Sequence, residues 1–164
     1  MKAKKVTLYG LLIAVALILS YVESIVPFFF TVPGIKMGLP NIAIVFALYK
    51  IGAKGAAAVS IIRVFIVALL FGNLISFAFS LAGACVSLCV MSLLRKWDKF
   101  SCAAVSVAGA VLHNVAQIAV AAIVINSGVI VFWLPALCVS AVVTGLCIGL
   151  VSSLLVKRVR IDLD

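Results

Sequence analysis

The sequence predicts an all-α, polytopic membrane protein: one bundle of six transmembrane helices over residues 1–164, with both termini cytoplasmic. Three observations carry this prediction. Of the 164 residues, 67% are hydrophobic and 10% charged, and the mean hydropathy is +1.44; so few polar side chains do not cover the surface of a soluble domain. Apolar stretches recur along the whole chain, and a bilayer core of about 30 Å takes roughly 20 apolar residues per helix, fewer for short spans. Finally, the basic residues divide unevenly. With the N-terminus inside, Lys2, Lys4, Lys5, Lys50, Lys54, Arg95, Lys96, Lys99, Lys157, Arg158 and Arg160 fall on the inner side, against Lys36 alone outside. That asymmetry orients the bundle and accounts for the net charge of +9 without nucleic acid as a partner.

The first span covers about 6–26 and follows Lys2, Lys4 and Lys5; no small-residue cleavage site follows it, so it reads as a retained helix. Gly10 and Ala14 give it a small-xxx-small face, and Glu23 sits near its outer end. The connection "VPFFFTVPGIKMGLPN" contains Pro27, Pro33, Pro40, Gly34 and Gly38, which forbid a continuous helix and predict an ordered, folded-back loop. Phe28, Phe29 and Phe30 fit an interfacial aromatic belt, with Phe132 and Trp133 at the same level. Lys36 has no topological role there, and a place on a lid over an anionic or polar ligand suits it.

Spans at about 39–51 and 56–72 follow, the second carrying Arg63 about midway. The fourth span, 74–94, brings Ser80, Ala84 and Ser87 to one small-residue face. The fifth, 101–126, contains "HNVAQ", and the sixth, 129–156, has Gly145 and Gly149 one turn apart. The five cysteines, Cys85, Cys89, Cys102, Cys138 and Cys147, lie within spans and read as small packing residues. Cys85 and Cys89 are four apart, but no His or carboxylate joins them at matching spacing, so no metal site is predicted.

Five polar residues are left unexplained by topology: Glu23, Arg63, His113, Asn114 and Gln117. A mid-membrane Arg costs about 2.5–3.5 kcal/mol on insertion scales, so it faces the bundle interior or water. His113 and Gln117 are four apart and Asn114 and Gln117 three apart, which puts all three on one side of a helix. Interhelical hydrogen-bond glue is the plain alternative, worth about 0.6 kcal/mol per bond. Both charge signs, an imidazole and two amides in so apolar a chain point instead to a ligand cavity. Glu23 is the acidic residue within the spans, and it sits higher than Arg63, so a shared wet cavity is as natural an arrangement as a salt bridge.

The segments "PGIKMGLPNIAIVFALY", "RVFIVALLFG", "SLAGACVSLCVMSLL", "VSVAGAVLHNVAQ" and "LPALCVSAVVTGLCIG" resemble the Gx transporter family, also labelled heptaprenyl diphosphate synthase component I. The resemblance covers nearly the whole chain, and that family is grouped with the S components of energy-coupling factor (ECF) transporters. It implies six helices, cytoplasmic termini, and a substrate cavity near the outer face beneath the first loop. It also implies a T component and two cytoplasmic ATPases as partners. S components dock through an AxxxA face on the first helix, to which Gly10 and Ala14 correspond as GxxxA.

Prenyl chain elongation uses clustered aspartates to hold magnesium against diphosphate. The acidic residues here are Glu23, Asp98, Asp162 and Asp164, with no paired motif, so catalysis by this chain is not expected. A GxxxxGK[ST] phosphate loop is also missing, and no cofactor is predicted. The expectation is therefore a solute-binding subunit in the cell membrane. Arg63, His113, Asn114 and Gln117 line its cavity, Glu23 sets the charge balance, Lys36 lies on the lid, and Gly10 and Ala14 form the docking face. Two other roles fit the same features: a non-catalytic accessory subunit in a prenyl-quinone or electron-transfer pathway, and a stand-alone secondary carrier.

Overall fold

The computed structural model of the protein describes residues 2–25, 37–72 and 74–161. Among them lie five α-helices: α1 (Lys2–Ile25), α2 (Asn41–Phe71), α3 (Leu74–Lys96), α4 (Cys102–Ile125) and α5 (Leu134–Arg158). A 3-10 helix, η1 (Gly128–Trp133), leads into α5. All five helices are long and apolar enough to cross a membrane, which makes this a multi-pass membrane protein.

The count differs from the six separate spans expected. The stretches 39–51 and 56–72 belong to one element, α2, which is interrupted at Gly52 rather than divided by a loop. Gly52 has φ +83° and ψ 177°, a conformation essentially reserved for glycine, so one residue breaks the helix. A straight 31-residue helix would be about 46 Å long. Instead, Pro40 and Asn41 border the same cavity as Val67 and Ala68, so the segments 41–51 and 53–71 fold back on each other. Among the described residues, nothing lies within 4 Å of a side chain built at Gly52. Gly52→Ala therefore introduces backbone strain and no clash, and we expect it to lower stability by about 1–3 kcal/mol. Thermal unfolding of the detergent-solubilised protein measures this; a rise in stability, as alanine gives in an ordinary helix, would show that the break is dispensable.

Segment 41–51 is the centre of the bundle. Ala43, Ile44, Val45, Phe46, Ala47 and Leu48 are all buried, the pattern of a helix enclosed on every side. Leu12 and Ala16 of α1, Ala56 and Val59 of the returning segment, Leu88 and Met91 of α3, and Val105 of α4 complete that core. A helix ending inside a bundle leaves carbonyls that need donors. Arg95 supplies them: its Nη1 donates to the Leu48 carbonyl, and its Nη2 to that of Tyr49 at 3.1 Å. Its guanidinium also lies 5.2 Å from the centroid of the Tyr49 ring, and its charge meets the negative end of the helix dipole. From the other side Ser152 Oγ donates to the Ile42 carbonyl at 3.5 Å.

The remaining helices pack through small residues. Gly145 and Gly149 face α4 so closely that an added Cβ would meet the Val107 and Ala103 backbones. Gly109 opposes Met91 and Ser87 across the α3–α4 seam. Ser101 caps α4 by accepting from Ala104 N–H at 3.1 Å, and Asn126, with φ +50°, closes its other end. Helix α1 rests mainly on α2 and turns Gly10, Ala14 and Ile18 outward; among the described residues nothing lies within 4 Å of a Cβ at Gly10. Of the cysteines read as small packing residues, Cys102 and Cys138 are partly buried, while Cys85, Cys89 and Cys147 are exposed on the bundle surface.

Candidate functional site

The fold-back at Gly52 leaves a cavity of about 260 Å³ beside the start of the central helix. Five elements wall it, at the end of the bundle away from Arg95. Glu23 comes from α1, Arg63 from the returning half of α2, and His113, Asn114 and Gln117 from α4. The sequence pattern singled out these five as a set, and they share one cavity. Lys36, the expected lid residue, lies outside the described residues, as do Phe28, Phe29 and Phe30.

Each side chain is held differently. Glu23 accepts a hydrogen bond from the backbone N–H of Gly38, where φ is +72°. Its carboxylate thus fixes the end of the first loop against α1, a role beyond the charge balance read from sequence. Arg63 feels the charge of Glu23 through space, yet its Nε is buried with no hydrogen-bond partner among the described residues. Such an orphan donor is costly in a low-dielectric interior.

The three α4 residues straddle a groove. Asn114 Nδ2 donates to the Leu137 carbonyl at 2.9 Å and so ties α4 to the start of α5. The glue reading is therefore true of part of Asn114, while its amide oxygen still provides an acceptor. His113 and Gln117 turn toward α3, where Gly83 makes a notch for them. A Cβ at Gly83 would fall 2.8 Å from His113 Cε1 and 3.0 Å from Gln117 Cγ.

Sequence reasoning missed Asn41, Ser76, Ser80 and Thr144 as wall residues. Ser80 was read only as a packing position, and Asn41 was available as an amide at the start of an apolar span. Asn41 also begins the central helix, so the positive end of that helix dipole faces the cavity. Together these groups offer one guanidinium, a positive helix end, an imidazole, amides and hydroxyls against one carboxylate that is already engaged. The arrangement suits a small solute with an acidic or strongly accepting group.

Residues 12–155 match the heptaprenyl diphosphate synthase component I family, which spans every cavity residue and most of the chain. The chain belongs to that family. No curated protein and no solved structure matches it. The heptaprenyl diphosphate synthase component I name denotes one component of a synthase. Among the described residues of this member, no group of three His, Cys, Asp or Glu side chains stands close enough to hold a metal ion.

Proposed function

We propose that this member of the heptaprenyl diphosphate synthase component I family is a solute-capture subunit of the ECF S-component type. It takes a small vitamin-like or precursor molecule from the outer side of the cell membrane. The observation that carries the reading is the cavity itself, where Glu23, Arg63, His113, Asn114 and Gln117 converge. With segments 41–51 and 53–71 of α2 read as an inward-running and an outward-running limb, both termini lie on the cytoplasmic, lysine- and arginine-rich side. The cavity then opens toward the outer side. Lacking a phosphate loop, the chain takes its energy from a T component and paired ATPases. The outward face of α1 at Gly10 and Ala14 is the surface they would meet.

Native mass spectrometry of the detergent-purified protein tests this directly. A retained small molecule, lost from Arg63→Ala and weakened in Asn114→Ala, is the expected result; retention unchanged in both variants removes the site. The family name favours a second reading, an accessory membrane subunit of a prenyl-transfer or quinone pathway. Co-purification with membrane prenyl-transfer or redox proteins, and no bound solute, decides for it. Solute uptake by vesicles containing this chain and no ATPase subunits decides for a secondary carrier.

A further inference from the structure

The polar cavity has an annex. A second cavity, of about 340 Å³, shares Ser76, Ser80, Asn114 and Gln117 with the first, so the two are contiguous through the space between α3 and α4. The rest of its wall has the opposite character. Phe79 of α3, Ile118 and Ala121 of α4, Ile130 and Trp133 of η1, and Leu137 of α5 bring no charge and no polar side chain except the indole N–H. Four polar residues thus mark a boundary, with Arg63 and Glu23 on one side and two aromatic rings on the other. Trp133 is 43% exposed, so the annex reaches the bundle surface.

We propose that the ligand of this site is amphipathic, with an acidic head at Arg63 and an apolar ring or short hydrocarbon body in the annex between Phe79 and Trp133. This rests on the first cavity being a ligand site and names the class of molecule it takes. A wholly polar solute would use Arg63 and leave the annex unfilled, with its aromatic walls lacking contact partners. An amphipathic one matches both halves across the serine and amide boundary. Each methylene buried in the annex strengthens binding about fourfold, so the apolar half dominates the affinity of a ligand whose head is only a phosphate or carboxylate.

The test is a series with one head and growing apolar bodies: inorganic phosphate, phenyl phosphate and 1-naphthyl phosphate, titrated by calorimetry into the full-length protein in lipid nanodiscs. Affinity is expected to rise at least tenfold at each step. Arg63→Ala weakens all three. Trp133→Ala removes most of the gain for 1-naphthyl phosphate and leaves inorganic phosphate unchanged; Phe79→Leu repeats the test should Trp133→Ala lose its thermal transition. Equal affinities for the three compounds, all dependent on Arg63, overturn the amphipathic ligand while leaving the solute-capture reading intact. No Arg63-dependent binding of any of them overturns both. Aromatic binding that is independent of Arg63, seen in detergent and abolished by nanodisc lipid, also overturns the proposal, because the annex then holds a lipid chain.

Discussion

Replacing Arg63 with methionine is expected to raise the thermal stability of the ligand-free protein while reducing its affinity for an acidic solute by about two orders of magnitude. The two effects share one cause. A buried guanidinium whose Nε has no partner among the described residues carries its desolvation cost into the folded state. Exchanging such a charge for an apolar side chain of similar volume is commonly neutral or stabilising by about 1–4 kcal/mol. Glu23 is not stranded by the change, because the Gly38 N–H still donates to it. Affinity moves the other way, since removing one partner of a buried charged hydrogen bond costs about 2–5 kcal/mol. Unfolding temperature without ligand and calorimetric titration with 1-naphthyl phosphate give the two readings. A lower unfolding temperature with unchanged affinity would make Arg63 a structural counter-charge to Glu23 and nothing more.

The second large effect is expected at Gly149. An added Cβ there falls 2.5 Å from Ala103 Cα and 2.9 Å from Ser106 Cβ, and Ala103 Cα is backbone that does not swing aside. Gly149→Ala therefore forces α4 and α5 apart, at a cost of about 1–3 kcal/mol. Those helices carry His113, Asn114, Gln117 and Thr144, and the Asn114–Leu137 hydrogen bond joins them, so ligand affinity is expected to fall together with stability. Gly10→Ala is the matched control. Its new methyl group meets nothing within 4 Å among the described residues, and removing a mid-helix glycine contributes roughly 0.5–1 kcal/mol of stability. Equal thermal shifts in the two variants would mean that the α4–α5 seam yields easily.

Most of this arrangement was legible in the sequence because membrane helices announce themselves by hydropathy and their polar exceptions stand out. The starts and ends of α1, α3 and α4 lie within a few residues of the expected spans. Glu23, Arg63 and the HNVAQ residues were identified by their cost in an apolar setting, and that criterion needs no knowledge of helix rotation. What was illegible depends on the third dimension. The run "KIGAKG" marks a break, yet only the backbone angle at Gly52 separates a kink from a loop. The last span begins as η1 because Asn126 and Gly128 end one helix before Pro135 starts the next, a change of pitch that hydropathy averages away. Trp133 read as an interfacial anchor, since nothing in periodicity reveals that Phe79 lies across a cavity from it. The Glu23 contact with Gly38 is a backbone partner 15 residues away, which no side-chain pattern encodes.

The length of the central helix has a consequence for the cavity. Its 11 residues, 41–51, extend about 16 Å, roughly half of a 30 Å hydrocarbon core. With its tail fixed by Arg95, its tip stops midway through the bundle. Around that tip stand α1, the returning segment of α2, α3, α4 and α5, all of which wall the cavity. The cavity lies at that tip, and the turn at 37–40 lines it. Irregular backbone is tolerated at such depth only when it lines a cavity or is enclosed by protein. Extending segment 41–51 toward full length would close the cavity without altering a single one of its polar side chains.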